Sequence, residues 1–368
     1  MYLPTVHNFN LLLPFSWLYG LGVWFRNRMF DLGRKPSVSY EDRVAVICVG
    51  NLAVGGTGKT PHTEYLISLL KSQGVGPIAV LSRGYKRQSK GFVLATPGIT
   101  ASQLGDESFQ MYRKFPDVIV AVDADRRHGI SQLLALSEPP KVILLDDAMQ
   151  HRYVKPGFTI CLTSYNRILY KDKLLPAGRL REPMSGLSRA DVVIVTKCPQ
   201  LRSEEVTEIQ ANLPTRPDQP IFHSAYRYGS LVNLATGKPC DIDHTSEVLI
   251  VAGIADPKVM ENYVHTHYRL LDILTFSDHH HFSAKDISKI RNRLDNVNGD
   301  GFCTSVNNQK AVIITTEKDA ARMINHPSVT DDLRNRIYYL PTEVYFLQKQ
   351  QEDFDQMVLD YVRRERSK

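Results

Sequence analysis

One short segment restricts this chain more than any other: Gly55-Gly56-Thr57-Gly58-Lys59-Thr60. It follows an apolar run at 44–49 and precedes a helix-like stretch at 61–71. Strand, glycine loop, Lys-Thr and helix form the context of a phosphate-binding loop. Glycines let backbone N–H groups close around phosphate oxygens. Lys59 brings a point charge to the β- and γ-phosphates, and Thr60 offers a hydroxyl to Mg²⁺. Pro61 suits a first helical turn, where its missing N–H costs little. The candidate nucleotide-binding set is therefore Gly55, Gly56, Thr57, Gly58, Lys59, Thr60 and Pro61. The spacing departs from G-x-x-x-x-G-K-[ST], because Ala53 stands where the first glycine belongs. A related loop carries a lysine directly before the Gly-Gly pair, and here that position is Val54.

Short apolar runs recur at 44–49, 78–81, 118–122, 142–145, 158–162 and 192–195, with helix-length segments between them. Near-continuous apolarity marks strands covered on both faces, as in a parallel sheet. The expected fold is α/β: a P-loop NTPase-like, doubly wound parallel sheet with a second, smaller α/β domain. Gly, Pro and polar residues cluster around 226–241, and further runs follow at 248–252, 271–276, 311–315 and 337–340. The expected organisation is an N-terminal amphipathic segment at 1–36, a P-loop domain at 37–228 and a smaller domain at 229–368 that closes over the active site. The last segment, 348–366, is charged and reads as a solvated outer helix.

With 368 residues there is enough chain for two real cores. A net charge of +6 favours anionic partners, weakly. Five scattered cysteines without paired spacing read as reduced thiols of a cytosolic compartment. Residues 11–25 read LLLPFSWLYGLGVWF, followed by Arg26, Arg28, Arg34 and Lys35. That run falls short of the ~20 residues a spanning helix needs. Its aromatic residues and flanking arginines suit a membrane surface, against the alternative of a helix packed on its own domain.

Several clusters carry chemistry. Residues 142–145 run into Asp146 and Asp147, and ligands bind beyond the carboxyl ends of such strands. Two adjacent carboxylates there call for a cation. Gln150 and His151 follow closely. Gly105-Asp106-Glu107 precedes a helix and, read alone, is an ordinary acidic first turn. Asp278-His279-His280-His281 follows a strand; one histidine reaching a cleft, held by a carboxylate, fits better than a metal site. Arg83, Arg126 and Arg179 lie at or after strand ends, where arginine forks suit phosphate. Thr196-Lys197-Cys198-Pro199 occupies the place where a GTPase carries N-K-x-D. Pro199 stands where the guanine-reading aspartate would be, so adenine is the default.

Taken together, these motifs resemble the tetraacyldisaccharide 4′-kinase family. The residues that carry the likeness are Gly50-Asn51-Leu52 with the glycine loop through Pro61, Ser82-Arg83-Gly84-Tyr85 and Gly105-Asp106-Glu107. Also in the family's order are Leu175-Pro176-Ala177-Gly178-Arg179-Leu180-Arg181-Glu182, Asp278-His279-His280 and Thr316-Glu317-Lys318-Asp319. One departure stands out: the family's usual D-D-G-F-Q-H is Asp146-Asp147-Ala148-Met149-Gln150-His151 here.

The resemblance implies ATP-dependent phosphorylation of the 4′-hydroxyl of a tetraacyldisaccharide 1-phosphate, giving lipid IVA, at the cytoplasmic face of the bacterial inner membrane. ATP and Mg²⁺ are the implied cofactors. The implied partners are the lipid A disaccharide 1-phosphate and the membrane surface, with no nucleic acid and no obligate protein partner. Asp106 is the implied base with His279 its partner, and Lys59 acts on the phosphates. Thr60, Asp146, Asp147 and Glu107 are the metal candidates. Arg83, Arg126, Gln150, His151 and Arg179 are the candidates for the acceptor or the transferring phosphate. Two other classes bear on the loop: a membrane-associated partitioning ATPase, opposed by Val54, and a nucleotide-dependent metallochaperone, opposed by Pro199 and the absence of a cysteine metal pattern.

Overall fold

The structure, a computed structural model, describes residues 11–254, 257–277, 280–296 and 311–367. A two-strand pair joins β1 (Val38–Ser39) to β7 (Val154–Lys155). The main sheet is built from β2 (Ala45–Asn51), β3 (Ile78–Ser82), β4 (Val93–Leu94), β5 (Ile119–Val122), β6 (Val142–Asp146), β8 (Phe158–Ser164), β9 (Val192–Thr196), β10 (Ile221–Tyr228) and β16 (Thr342–Phe346). Its order is β16-β10-β9-β8-β2-β6-β3-β5-β4. From β10 to β5 every pairing is parallel, and β4 runs antiparallel to β5. The chain leaves β2 for β3, skipping a place that β6 later fills, and β8 then adds on the other side of β2. That reversal puts the end of β2 at the topological switch point, where open α/β sheets bind ligands. Every residue of β2, β3, β6, β8 and β9 is buried, which is why these strands read as predominantly apolar runs.

A second sheet contains β11 (Val232–Asn233), β12 (Glu247–Ala252), β13 (Arg269–Thr275), β14 (Val312–Thr316) and β15 (Ile337–Leu340), in the order β11-β15-β14-β12-β13. Along β12 the side chains alternate. Leu249 and Val251 join a core with Phe282, Ile287 and Leu294, whereas Val248, Ile250 and Ala252 join one with Met260 and Val264. Both faces are covered, so this sheet too is a helix-clad α/β layer.

The chain divides into two compact units. One holds the residues up to Pro97, Met111–Tyr226 and Val344–Lys368; the other holds Gly98–Gln110 and Arg227–Glu343. The C-terminal helix Gln351–Arg366, grouped by sequence with the smaller domain, thus lies in the first unit. It is not solvated all round: Phe354, Val358, Leu359, Tyr361 and Val362 are buried. The Tyr361 hydroxyl accepts from Val46 N–H (3.0 Å) and lies 3.2 Å from Val46 O, tying this helix to β2.

The N-terminal helix Leu13–Asp31 is largely apolar in its first turns and carries Arg26, Asn27, Arg28 and Asp31 towards its end. Its inward side is held mostly by polar contacts. The Ser16 hydroxyl donates to Leu174 O, Tyr19 to Arg181 O, Arg26 to Gln150 O and Asn27 to Glu182. Leu11, Phe15, Trp17, Leu18, Leu21, Trp24 and Phe25 stay exposed. Among the described residues no helix is long and apolar enough to cross a membrane.

The helix Lys59–Ser72 begins at the glycine loop and is fixed to the sheet by a buried histidine. His62 Nδ1 lies 2.7 Å from Gly58 O, and Nε2 lies 2.9 Å from the Ser224 hydroxyl. A carbonyl can only accept, so Nδ1 carries the proton and Nε2 accepts. Burial pushes the imidazole down to about 4. The unfolded chain, with an ordinary histidine near 6.5, therefore binds the extra proton first. The stability that neutral His62 provides is full above about pH 6.5 and is lost as pH falls towards 4. In urea unfolding at pH 7 and pH 5, His62→Gln should lessen the loss on acidification, by up to about 1.4 kcal/mol per pH unit. An unchanged slope would show that His62 keeps its proton in the fold.

Candidate phosphoryl-transfer site

The glycine loop leaves the carboxyl end of β2 and is held from several sides. Asn51 Nδ2 donates to the Thr57 hydroxyl at 2.7 Å. The Thr196 hydroxyl donates to Thr57 O and Lys197 Nζ to Gly56 O, each at 2.8 Å. Val54 N–H donates to Arg179 O at 2.8 Å, and Arg181 N–H to Leu52 O at 2.7 Å. Gly55 and Gly58 have φ of 109° and 91°, a region in which side-chain-bearing residues are strained. A Cβ on Gly58 would also run into the Tyr226 hydroxyl. Lys59, Thr60 and Pro61 form the first helical turn, so the helix N-terminus faces the space enclosed by the loop.

Parallel pairing sets Val49 of β2 against Asp146 of β6. Asp146 is buried at the end of its strand. Asp147 follows with φ of 49°, a region aspartate tolerates better than most residues. Its carboxylate lies 3.7 Å from Lys59 Nζ and 3.3 Å from an Arg181 guanidinium nitrogen. The same guanidinium nitrogen donates to Gln150 Oε1 at 3.1 Å, and Gln150 Nε2 donates to Asn51 O at 2.7 Å. Gln150 is thereby part of the frame that fixes the loop. Ala148 and Met149, which differ from the usual family pattern, are both buried core residues. A Cβ on Gly50 would meet Met149 Cβ at 2.6 Å, so Met149 packs directly against the strand that bears the loop.

The other basic candidates separate into two groups. Arg83, just past β3, and Arg179, in the loop beside Gly55, are exposed. Arg126 is only 2% exposed and donates to Asp123 O at 2.6 Å and to Asp146 O at 3.3 Å. It clamps the ends of β5 and β6 together. Arg126 N–H donates to His151 Nε2 at 3.1 Å. Burial, then the neighbouring Arg126 charge, pushes His151 down to about 4, so it is a neutral ring near pH 7.

Asp106 opens the helix Asp106–Lys114. Arg322 donates to its Oδ2 from two nitrogens, at 2.9 and 2.8 Å. A third Arg322 nitrogen reaches Asp319 Oδ1 at 3.0 Å. Asp319 is fully buried and accepts from Gly253 N–H and the Thr316 hydroxyl, each at 2.8 Å. The Thr316-Glu317-Lys318-Asp319 motif thus builds a rigid seat for Arg322, and Arg322 orients Asp106. Glu107 pairs with Lys318 at 3.7 Å. Asp278 and His279 lie outside the described residues. His280 is bound to Asp286 at 3.1 Å and stacks on Phe276.

Sequence reasoning left Lys197 and Arg322 without roles, and read Arg181 only as one of two loop arginines suited to phosphate. Arg181 was legible as the second arginine of the Arg179-Leu180-Arg181 run. Arg322 shares a helix face with Asp319, three residues before it. Its partner Asp106 lies 216 residues away in the chain, and no local signal connects the two.

A family model described as Tetraacyldisaccharide-1-P 4′-kinase matches residues 9–363. The tetraacyldisaccharide 4′-kinase of Bacteroides thetaiotaomicron is 48% identical over 365 residues, covering 96% of this chain and 93% of that protein. The protein of the same name in Flavobacterium johnsoniae is 46% identical over 356 residues, covering 96% and 97%. Among solved structures, the "apo" form of LpxK from Aquifex aeolicus in complex with ATP is similar, with a TM-score of 0.72 and 28% identity. That likeness covers 96% of this chain and 99% of the other. These likenesses favour neither the partitioning switch nor the metallochaperone. A P-loop on a doubly wound sheet, matched along nearly its whole length, places the chain in the tetraacyldisaccharide 4′-kinase family.

Proposed function

We propose that the chain carries out its family's reaction, ATP-dependent phosphorylation of the 4′-hydroxyl of a tetraacyldisaccharide 1-phosphate, with the glycine loop as donor site and Asp106 as base. The observation that carries this is Lys59, seated in the first turn after the loop and 3.7 Å from a strand-end carboxylate. A phosphoryl transfer of this kind needs positioning and charge stabilisation more than covalent help. Loop amides and the helix N-terminus bind the phosphates, and Lys59 moves its charge from Asp147 onto them. Arg181 keeps Asp147 in place meanwhile.

Thr60 and Asp146 offer the hard oxygen donors that suit Mg²⁺, which takes one or two protein oxygens and completes its shell with phosphate and water. Asp147 and Glu107 are the further carboxylates of the set. When bound, the ion neutralises charge on the β- and γ-phosphates. Arg83 and Arg179, both exposed, are the arginines left to meet the acceptor or the transferring phosphate; Arg126, Gln150 and His151 support the loop and strand ends.

On the acceptor side, both Arg322 contacts fall on Asp106 Oδ2, which leaves Oδ1 to accept the proton of the 4′-hydroxyl. His279 is the proposed partner, on the family pattern alone. Lys59→Ala should abolish transfer in a folded protein. Asp106→Ala should lower kcat by about 10²–10⁴-fold with ATP affinity little changed. His279→Ala should also lower kcat, and the double variant should fall well short of the product of the two losses. A collapse of ATP affinity in Asp106→Ala would move that residue to the donor site and make Asp147 the next candidate base.

We further propose that the exposed face of Leu13–Asp31 rests on the cytoplasmic surface of the inner membrane. A packed helix that leaves two tryptophans and two phenylalanines in solvent is suited to an interface. Triple replacement of Trp17, Leu21 and Phe25 by serine should cut cosedimentation with phospholipid vesicles while thermal unfolding changes little. Equal pelleting of variant and parent would place the lipid contact elsewhere.

A further inference from the structure

We infer that a basic cavity beside the N-terminal helix holds the phosphate of one anionic phospholipid, so that the protein docks on a particular headgroup as well as on a surface. The inference rests on the membrane seat proposed above for the helix Leu13–Asp31. The cavity has a volume of about 230 Å³. Its walls are Trp24, Asn27, Arg28 and Asp31 of that helix, Arg152, and the segment 183–189 with Arg189 at its end. All of these residues belong to the first unit. Pockets for drug-sized ligands hold ~300–1,000 Å³ and are mostly apolar. This one is smaller and charged, which suits a headgroup and not an acyl chain.

The walls are set in place by their own contacts. Arg152 donates to Asn27 O at 3.0 Å and to Asp31 Oδ1 at 2.6 Å, and its guanidinium lies 5.1 Å from the centre of the Phe30 ring. Arg189 donates to Oε2 of the buried Glu182 at 2.8 Å, and Asn27 Nδ2 donates to the same oxygen at 2.9 Å. Asp31 and Glu182 thus balance Arg152 and Arg189. Each guanidinium has five N–H donors, so both arginines keep some for a ligand. Arg28 is left over: it is exposed, and its side chain has no hydrogen bond or ion pair among the described residues. The cavity therefore carries one uncompensated positive charge, which matches a phosphodiester monoanion, and the fork of Arg28 suits two phosphate oxygens.

The place of the cavity on the helix makes a lipid the source of that phosphate. Trp17, Leu21, Trp24 and Arg28 follow one another at spacings of four, three and four residues, on one stripe, and all four are exposed. Trp24 ends the apolar part of the stripe and also lines the cavity. Indole rings sit at headgroup level, and an interfacial helix sinks only ~5–10 Å into the boundary. A cavity beside Trp24 and Arg28 then lies at the depth of the lipid phosphates. A headgroup with its own ammonium already compensates its phosphate and sets a cation against Arg28. A glycerol headgroup brings no such cation, so phosphatidylglycerol is the matching chemistry.

Cosedimentation of the intact protein with phosphatidylcholine vesicles containing phosphatidylglycerol, and no glycolipid, tests the site. Arg28→Gln is compared with Arg34→Gln, which removes the same charge from an exposed arginine outside the cavity. One basic residue near an anionic surface is worth about fivefold in partitioning, and that is the fall expected of Arg34→Gln. Arg28→Gln should fall about tenfold further, because a charge-assisted bond to phosphate is lost as well. On phosphatidylcholine alone the two variants should bind alike. Equal falls on the anionic vesicles would overturn the site and leave the membrane seat standing. A parent protein that ignores both kinds of vesicle would overturn both. A gap that persists undiminished on phosphatidylcholine alone would overturn the preference for an anionic headgroup. In detergent micelles the KM for tetraacyldisaccharide 1-phosphate should be the same in both variants; a rise confined to Arg28→Gln would give the cavity to the acceptor's own phosphate and overturn the proposal.

Discussion

The pairing of β2 with β6 is the constraint from which the rest of the site follows. Because Val49 lies against Asp146, the strand that launches the glycine loop and the strand that ends in two carboxylates finish side by side. Neither strand can slip without turning a fully buried apolar set towards its neighbours in the wrong alternation. Arg126 clamps the end of β6 to that of β5, Gln150 returns to Asn51 O, and Met149 fills the space that Gly50 leaves open. These contacts fix the loop before any ligand arrives, so little reorganisation is left for the moment of binding.

The second unit solves a different problem, the orientation of one carboxylate. Asp319 is fully buried and held by a backbone N–H and a hydroxyl, and it fixes Arg322, which in turn grips one oxygen of Asp106. A chain of charge-assisted bonds of this kind narrows the directions in which the remaining oxygen can act. The N-terminal helix shows the converse arrangement. Polar contacts hold its inward side, and its large apolar residues remain outside. Folding of the first unit, which holds this helix, leaves them exposed.

Much of this was legible in the sequence, for identifiable reasons. The inner strands announce themselves because both faces are covered, so they are mostly apolar, with only a few buried threonines such as Thr159 and Thr163 inside them. The glycine loop announces itself because only glycine fits its backbone. By contrast, β10 mixes His223, Ser224, Tyr226 and Arg227 with apolar residues and escaped notice, although its Tyr226 hydroxyl lies against Gly58 of the loop. The C-terminal helix was misjudged because its charges hid the buried positions 354, 358, 361 and 362 at helical spacing. Arg126 was legible as an arginine after a strand, but its burial and its carbonyl partners depend on two other strands. Single residues signal chemistry; which group each one meets is decided by the fold.

The central claim is that the phosphoryl group leaves ATP for a sugar hydroxyl rather than for water. Purified protein incubated with ATP bearing an ¹⁸O-labelled γ-phosphate and a tetraacyldisaccharide 1-phosphate puts this directly to the test. Tandem mass spectrometry should find one labelled phosphate added to the lipid, on the distal sugar. Labelled inorganic phosphate with the lipid unaltered would contradict the account and leave a nucleotide hydrolase in its place.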